Sequence, residues 1–162
     1  MKTLLLMRHA KSSWANAGMQ DHDRPLNKRG ELDAPEMGHW LKSQELIPDR
    51  IICSSAKRTC QTAEAIAAII NCQFEIIDQL YLANLRTWNQ VLSKYTNGET
   101  ILAIGHNPGI EQFVEAATGN YERMPTAAIA WFNCDSITED YNLKNMQLQT
   151  TWRPKEIKST QD

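Results

Sequence analysis

The stretch TLLLMRHAKSSW, residues 3–14, decides how the rest of the chain is read. Its apolar part, Leu4 to Met7, is short, does not alternate with polar residues, and reads as a buried strand. It stops at Arg8-His9-Ala10-Lys11, so two cations and an imidazole stand at the strand's end. Such groups are either ordinary loop residues or groups placed at a strand tip to do chemistry.

Outward from this stretch the pattern alternates. Residues 26–44, LNKRGELDAPEMGHWLKSQ, carry Leu32, Met37, Trp40 and Leu41 at spacings compatible with one helix face, with Asn27 as N-cap. Pro35 within it is tolerable only near the helix start or at a kink. RIIC, Arg50 to Cys53, reads as a strand, and Ser54-Ser55 as a cap for a helix from Lys57 to Ile70. FEII, residues 74–77, is a short strand. Residues 85–95 form a helix with Leu85, Trp88, Val91, Leu92 and Tyr95 on one stripe, closed by Asn97-Gly98. TILAIG, residues 100–105, is a near-continuous apolar strand, followed by a helix over residues 110–118. Residues 127–134 and 146–152 read as two late strands near a sheet edge.

This order predicts an α/β fold: a three-layer sandwich with a mostly parallel central sheet and helices on both faces. We expect one compact domain over residues 1–154 and a polar, frayed tail over residues 155–162. The 162 residues carry a net charge of -2, with 42% hydrophobic and 22% charged residues, which is ordinary for a globular domain and argues against a general nucleic-acid binder. Arg8-His9 breaks the first apolar run before a signal peptide could form, and no run approaches the ~20 residues of a membrane helix. The expectation is a cytoplasmic protein that binds neither nucleic acid nor membrane. Its four cysteines, at 53, 60, 72 and 134, lack CxxC spacing and read as reduced thiols.

In a parallel sheet, ligands gather where strands end and the chain leaves for the next helix. RHAKS, SSAKR and GHNPG each follow a strand, and they converge if those strands are neighbours. The convergent set is Arg8, His9, Arg58 and His106. Two guanidiniums and two imidazoles repel one another unless an anion sits among them. Arginine offers paired planar donors for phosphoryl oxygens, and the helix starts after Ser54 and His106 add backbone N–H groups. A neutral imidazole beside two arginines has reason to stay neutral, and its bare nitrogen is a nucleophile toward phosphorus. The second can donate to the phosphoryl oxygens. Neither metal nor cofactor is called for, because no carboxylate cluster accompanies these segments and the four histidines lack metal-site spacing.

MRHAKSSW, SSAKRTCQTA and GHNPGI together resemble the histidine phosphatase superfamily, over roughly residues 1–153. RHAKSSW followed by DHDRPLNKRG, and MPTAAIAWF, are similar to its SixA-type phosphohistidine phosphatases. The resemblance implies a phosphoglycerate-mutase-like fold. It makes His9 the nucleophile of a covalent phosphohistidine intermediate. Arg8, Arg58 and His106 hold the phosphoryl oxygens, with Ser12 and Asn107 assisting in phosphate binding. The implied substrate is phosphohistidine on a protein partner in signal transduction, and phosphate or sulfate would fit the pocket. The alternatives are a small-molecule phosphomonoesterase of the same superfamily and a non-catalytic phosphate-binding module.

The chain departs from the wider family at the general acid. Many members place a glutamate after the third strand; DQLYLANLRTW has Leu82-Ala83 near that place. Asp78, Asp21 and Asp23 are the candidates, and Asp21 or Asp23 could equally cap or pair with Arg24. An imidazole leaving group tolerates a missing acid better than an alkoxide does. Short connections leave little chain for a lid, which suits a phosphorylated side chain on another protein. Taken singly, each motif residue has an ordinary reading: His9 as a surface or core histidine, Arg58 as a solvated helix residue, His106 as turn chemistry. His22 and His39 are expected to have no function. Trp40, Trp88 and Trp131 are expected in the core, and Trp14 is a candidate for the pocket rim.

Overall fold

The computed structural model describes residues 2–95, 98–134, 143 and 145–159. In chain order these are β1 (Lys2–Arg8), α1 (Lys28–Ser43), β2 (Arg50–Cys53), α2 (Lys57–Ile70), β3 (Phe74–Ile76), α3 (Leu85–Leu92), β4 (Thr100–Gly105), α4 (Gly109–Thr118), β5 (Ile129–Cys134), β6 (Met146–Trp152) and α5 (Pro154–Ser159). One six-stranded sheet runs β3-β2-β4-β1-β5-β6. The first four strands are parallel; β5 and β6 pair antiparallel. Helices cover both faces, as expected for the three-layer α/β class.

The continuous apolar runs follow from that double cover. Successive side chains of a strand point to opposite faces. Leu4 and Leu6 join one core with Trp88, Val91, Ile110 and Phe113 of α3 and α4. Leu5 and Met7 join another with Met37, Leu41 and Ile66 of α1 and α2. All four strand residues are fully buried, and truncating such a leucine to alanine costs about 2–5 kcal/mol.

Register positions the site. Met7 pairs with Ile104, Arg8 with Gly105, and Cys53 with Ile104. His9 N–H donates to the Gly105 carbonyl at 3.0 Å and Ser54 N–H to the Ile104 carbonyl at 3.1 Å. The three polar clusters therefore leave three adjacent interior strands at their C-terminal ends.

Several local expectations change. Asn27 does cap α1, accepting from Gly30 N–H at 3.0 Å. Ser54 does not cap α2: Ala56 is the N-cap without a side-chain bond, because the Ser54 hydroxyl turns to Thr59 and His106. Leu32 is 69% exposed, and the buried stripe of α1 runs instead through Asp33, Ala34, Met37 and Leu41. Pro35 stands mid-helix, where its missing N–H forfeits a bond to the preceding turn. α3 stops at Leu92; Asn97 lies outside the described residues, and Gly98 adopts φ +73°. Residues 154–159 are helical where a frayed tail was expected. Ile157 enters the second core, and Lys158 reaches Asp33 and Glu36 at 3.1 and 2.9 Å, which pins α5 to α1. Among the described residues no helix is long and apolar enough to cross a membrane.

Candidate active site

His9 follows the last residue of β1 and is 7% exposed. Its Nδ1 lies 2.7 Å from the Ala10 carbonyl, which can only accept, so Nδ1 carries the proton. Nε2 is then a bare nitrogen, with the Arg58 Nε–H donating to it at 3.3 Å. Burial first, then the Arg58, Arg8 and Arg24 charges, push the imidazole pKa down to about 3 against the pull of the Ala10 bond. The ring is neutral at physiological pH.

Arg58, near the start of α2, is 3% exposed and forms the hub of the site. Besides His9, it donates through Nη2 to His106 Nδ1 at 3.3 Å and to Asp21 Oδ2 at 2.9 Å, and through Nη1 to the Asp21 carbonyl at 2.6 Å. His106 follows β4 and is 2% exposed. Burial, then His9 and Arg58, push its pKa down to about 3. Its Nε2 lies 2.6 Å from the Ser54 hydroxyl. The His9 and His106 rings sit 5.2 Å apart, centroid to centroid.

Two glycines permit this approach. A Cβ on Gly105 would stand 2.5 Å from the Trp88 ring, and one on Gly30 would stand 2.1 Å from the Lys11 carbonyl. The loop after β1 can thus lie against the start of α1. Across the site, Ala127 holds φ +64° while its N–H donates to the carbonyls of Arg8 and His9, both at 3.1 Å. Left-handed backbone in a residue with a Cβ is costly, and here it is held by those two bonds.

Arg8 donates from Nη1 to the Met124 carbonyl at 3.1 Å, and its Nε is buried without a partner among the described residues. Burial lowers its pKa, Glu111 raises it, and Arg123 and Arg58 lower it. Asn107 donates to the same Met124 carbonyl at 3.0 Å, leaving its own Oδ1 buried without a partner among the described residues. Ser12 is buried and accepts from Arg24. Arg8, His9, Ser12, Arg58, His106 and Asn107 line one cavity of about 250 Å³.

Asp21 also lines it; Asp23 and Asp78 do not. Asp23 is exposed beside His22, and Asp78 is exposed at the start of a short turn, Asp78–Leu80, whose Leu80 is buried in the core. Burial would raise the Asp21 pKa, but hydrogen bonds from Tyr81, Arg58 and Arg24 outweigh it and hold the carboxyl far below the ordinary range. The Asp21 carboxyl is thereby held toward its ionised form. Leu82 lines the rim of the same cavity.

The sequence reading overlooked Tyr81, whose hydroxyl donates to Asp21 at 2.8 Å and whose ring stands edge-on to His106. It foresaw Arg24 only as a partner for Asp21 or Asp23, and the structure pairs it with Asp21 at 2.8 Å. Arg24 also lies 3.3 Å over the exposed Trp14 ring, at the rim. The i, i+3 spacing in DHDR was the available signal for that pair; nothing in DQLYL pointed to Tyr81. His22 braces the Asp21 turn, 3.1 Å from Ser55 and packed on Tyr81. Trp88 is fully buried as expected, while Trp40 and Trp131 are half-buried with Trp152 at the β6 edge. Among the described residues, no group of three or more His, Cys, Asp or Glu side chains could hold a metal ion.

Known proteins resemble this chain in sequence and in fold. Residues 4–99 match the family model of the histidine phosphatase superfamily (branch 1). An uncharacterized chloroplastic protein of Arabidopsis thaliana is 32% identical over 141 residues, which are 80% of this chain; the chain spans 65% of that relative's length. Among solved structures, a candidate phosphohistidine phosphatase SixA from Agrobacterium tumefaciens superposes with a TM-score of 0.82 at 28% identity, covering 94% of this chain and 97% of the other. A second, from Nakamurella multipartitia, gives 0.80 at 27% identity, with coverages of 94% and 96%.

Proposed function

Because this chain belongs to the histidine phosphatase superfamily, we propose that it hydrolyses phosphohistidine on a protein partner by way of a phosphoryl group carried on His9. The observation that carries the choice of leaving group is the state of Asp21. It is the one carboxyl among the described lining residues of the cavity, and it is held ionised by Tyr81, Arg58 and Arg24. No acid is thereby poised to protonate an alkoxide. A phosphohistidine needs none: once its other ring nitrogen has taken a proton from water, the imidazole departs neutral.

In the first step the bare Nε2 of His9 forms a bond to phosphorus as the substrate's P–N bond breaks, its electron pair leaving with the substrate ring. The N–H groups of Arg58 that reach the two imidazoles turn to the phosphoryl oxygens, and Arg8 adds a second guanidinium. The Ser54 hydroxyl can accept from or donate to His106 Nε2. When it donates, His106 presents Nδ1–H to the phosphoryl group. In the second step water forms a P–O bond, the His9–phosphorus bond breaks, and phosphate leaves with the spare proton released to solvent. The charge of the transition state falls on arginines, so we expect catalysis without a metal.

The test is a substrate panel with and without chelator: a phosphohistidine peptide, an aryl phosphate and a sugar phosphate. The peptide should be turned over best, with chelator making no difference. An acid-labile, alkali-stable label should be trapped on the wild type and be absent from His9→Ala. Preferential turnover of the sugar phosphate would overturn the assignment of substrate, and absence of the label would overturn the covalent route.

A further inference from the structure

A second cavity of about 620 Å³ opens beside the first, and Arg8, Lys11 and Thr126 line both. Six of its thirteen lining residues are arginine or lysine and two are glutamate, on a chain whose net charge is -2. A cationic wall on an acidic chain is a local arrangement.

Part of that charge is already committed. Arg153 pairs with Glu122 and Glu156 and donates to the Arg123 carbonyl, so it fixes the wall. Arg29 pairs with Asp33 at 3.2 Å. Glu111 accepts from Met124 N–H at 2.9 Å and faces Arg8. Lys11, Arg123 and Lys155 are exposed and enter none of the ion pairs found among the described residues. Arg123 is also near enough to Arg8 to oppose its charge. An anion between them relieves that repulsion, and the buried Arg8 Nε offers a donor at the shared wall.

From this geometry we infer that the larger cavity docks an acidic segment of the phosphorylated protein substrate, with its carboxylates on Lys11, Arg123 and Lys155 while the phosphoryl group enters the neighbouring pocket. The inference rests on the protein-substrate reading given above. The cations come from three separate segments, after β1, before β5 and at the start of α5, which suits a chain laid across them. The cavity is also far larger than one inorganic anion requires. The exposed Tyr121 ring on the wall gives such a chain an apolar contact.

The experiment measures binding apart from catalysis. A fluorescein-labelled peptide with a run of glutamates is titrated with the full chain by fluorescence anisotropy. The double variant Arg123→Glu/Lys155→Glu should bind it on the order of tenfold more weakly, and 0.5 M salt should weaken the wild type similarly. Lys42→Glu, a charge reversal at the far end of α1, should bind like the wild type. Thermal unfolding establishes that the variants fold; if the double variant does not, Arg123→Ala replaces it, with an expected loss of about threefold. Equal affinity of variant and wild type, or of acidic and neutral peptides, would overturn the docking site. So would displacement by succinate as effective as displacement by unlabelled acidic peptide, because the site would then take a free dicarboxylate. Turnover of phosphohistidine peptides with acidic or neutral flanks is measured separately. Acidic preference in binding without any phosphohistidine turnover leaves this subsite standing and removes the proposed function; turnover without acidic preference does the reverse.

Discussion

The two cavities share a wall and differ in how their charges are held. In the smaller one Arg58 and both histidines are buried, and each has defined hydrogen-bond partners on another segment. In the larger one Lys11, Arg123 and Lys155 stand on exposed, flexible side chains. Buried, fixed donors act on the charge that develops in a transition state, because they need no reorganisation when it forms. Exposed cations are screened and contribute little each, so they select and steer a partner. The first cavity is suited to rate and the second to recognition.

Breaking the first cavity should have the largest effect. His9→Ala removes the proposed nucleophile, and kcat on a phosphohistidine peptide should fall by about 10⁴ or more with the fold intact by circular dichroism. Arg58→Ala should lower kcat by roughly 10² to 10³, and Arg58→Lys should not restore it, because an ammonium cannot span two imidazoles and Asp21. Steady-state kinetics on both variants checks this; a loss confined to KM would place Arg58 in binding alone.

Acid should separate the cavities next. The His9 and His106 imidazoles are held at about 3 when folded and return to about 6.5 when unfolded. Below 6.5 the unfolded chain takes up protons that the folded chain refuses, so their stabilising contribution is present above pH 6.5 and lost as pH falls toward 3. The melting temperature should drop across that window, by the equivalent of a few kcal/mol at its lower end. Phosphate at a hundred times its Kd should add about 2.7 kcal/mol of folding stability, read as a higher melting temperature. A melting temperature flat from pH 7 to 4 would contradict the neutral pair. Ser54→Ala should cost roughly tenfold in kcat and little in KM, by freeing the tautomer of His106. The smallest effect belongs to Arg123→Glu, about fivefold in KM for an acidic peptide with kcat retained.

The framework was legible where a local pattern carried the information. TLLLM and TILAIG lack alternation because both faces of the sheet are covered, and the same stretches end on the polar clusters. Arg8, His9, Arg58 and His106 could be chosen because strand ends in such sheets converge, and the register of β1, β4 and β2 brings them together. Asp33 was not legible, because a buried carboxylate in α1 makes sense only once Arg29 and Lys158 reach it. The apparent polar tail became α5 for the same reason. Ser54 looked like a cap because serine before a helix usually is one; a histidine 52 residues away claimed its hydroxyl.

The amino-acid order by itself determined the succession of strands and helices and the three motifs with their two imidazoles and two guanidiniums, since periodicity and turn chemistry act over a few residues. Only the tertiary structure decided which groups carry protons. Arg58 meets Asp21 across 37 residues and His9 across 49. Hydrogen bonds from Tyr81, Arg58 and Arg24 hold the Asp21 carboxyl low, burial and neighbouring charge keep both imidazoles neutral, and the fold sets the cations of the second cavity side by side.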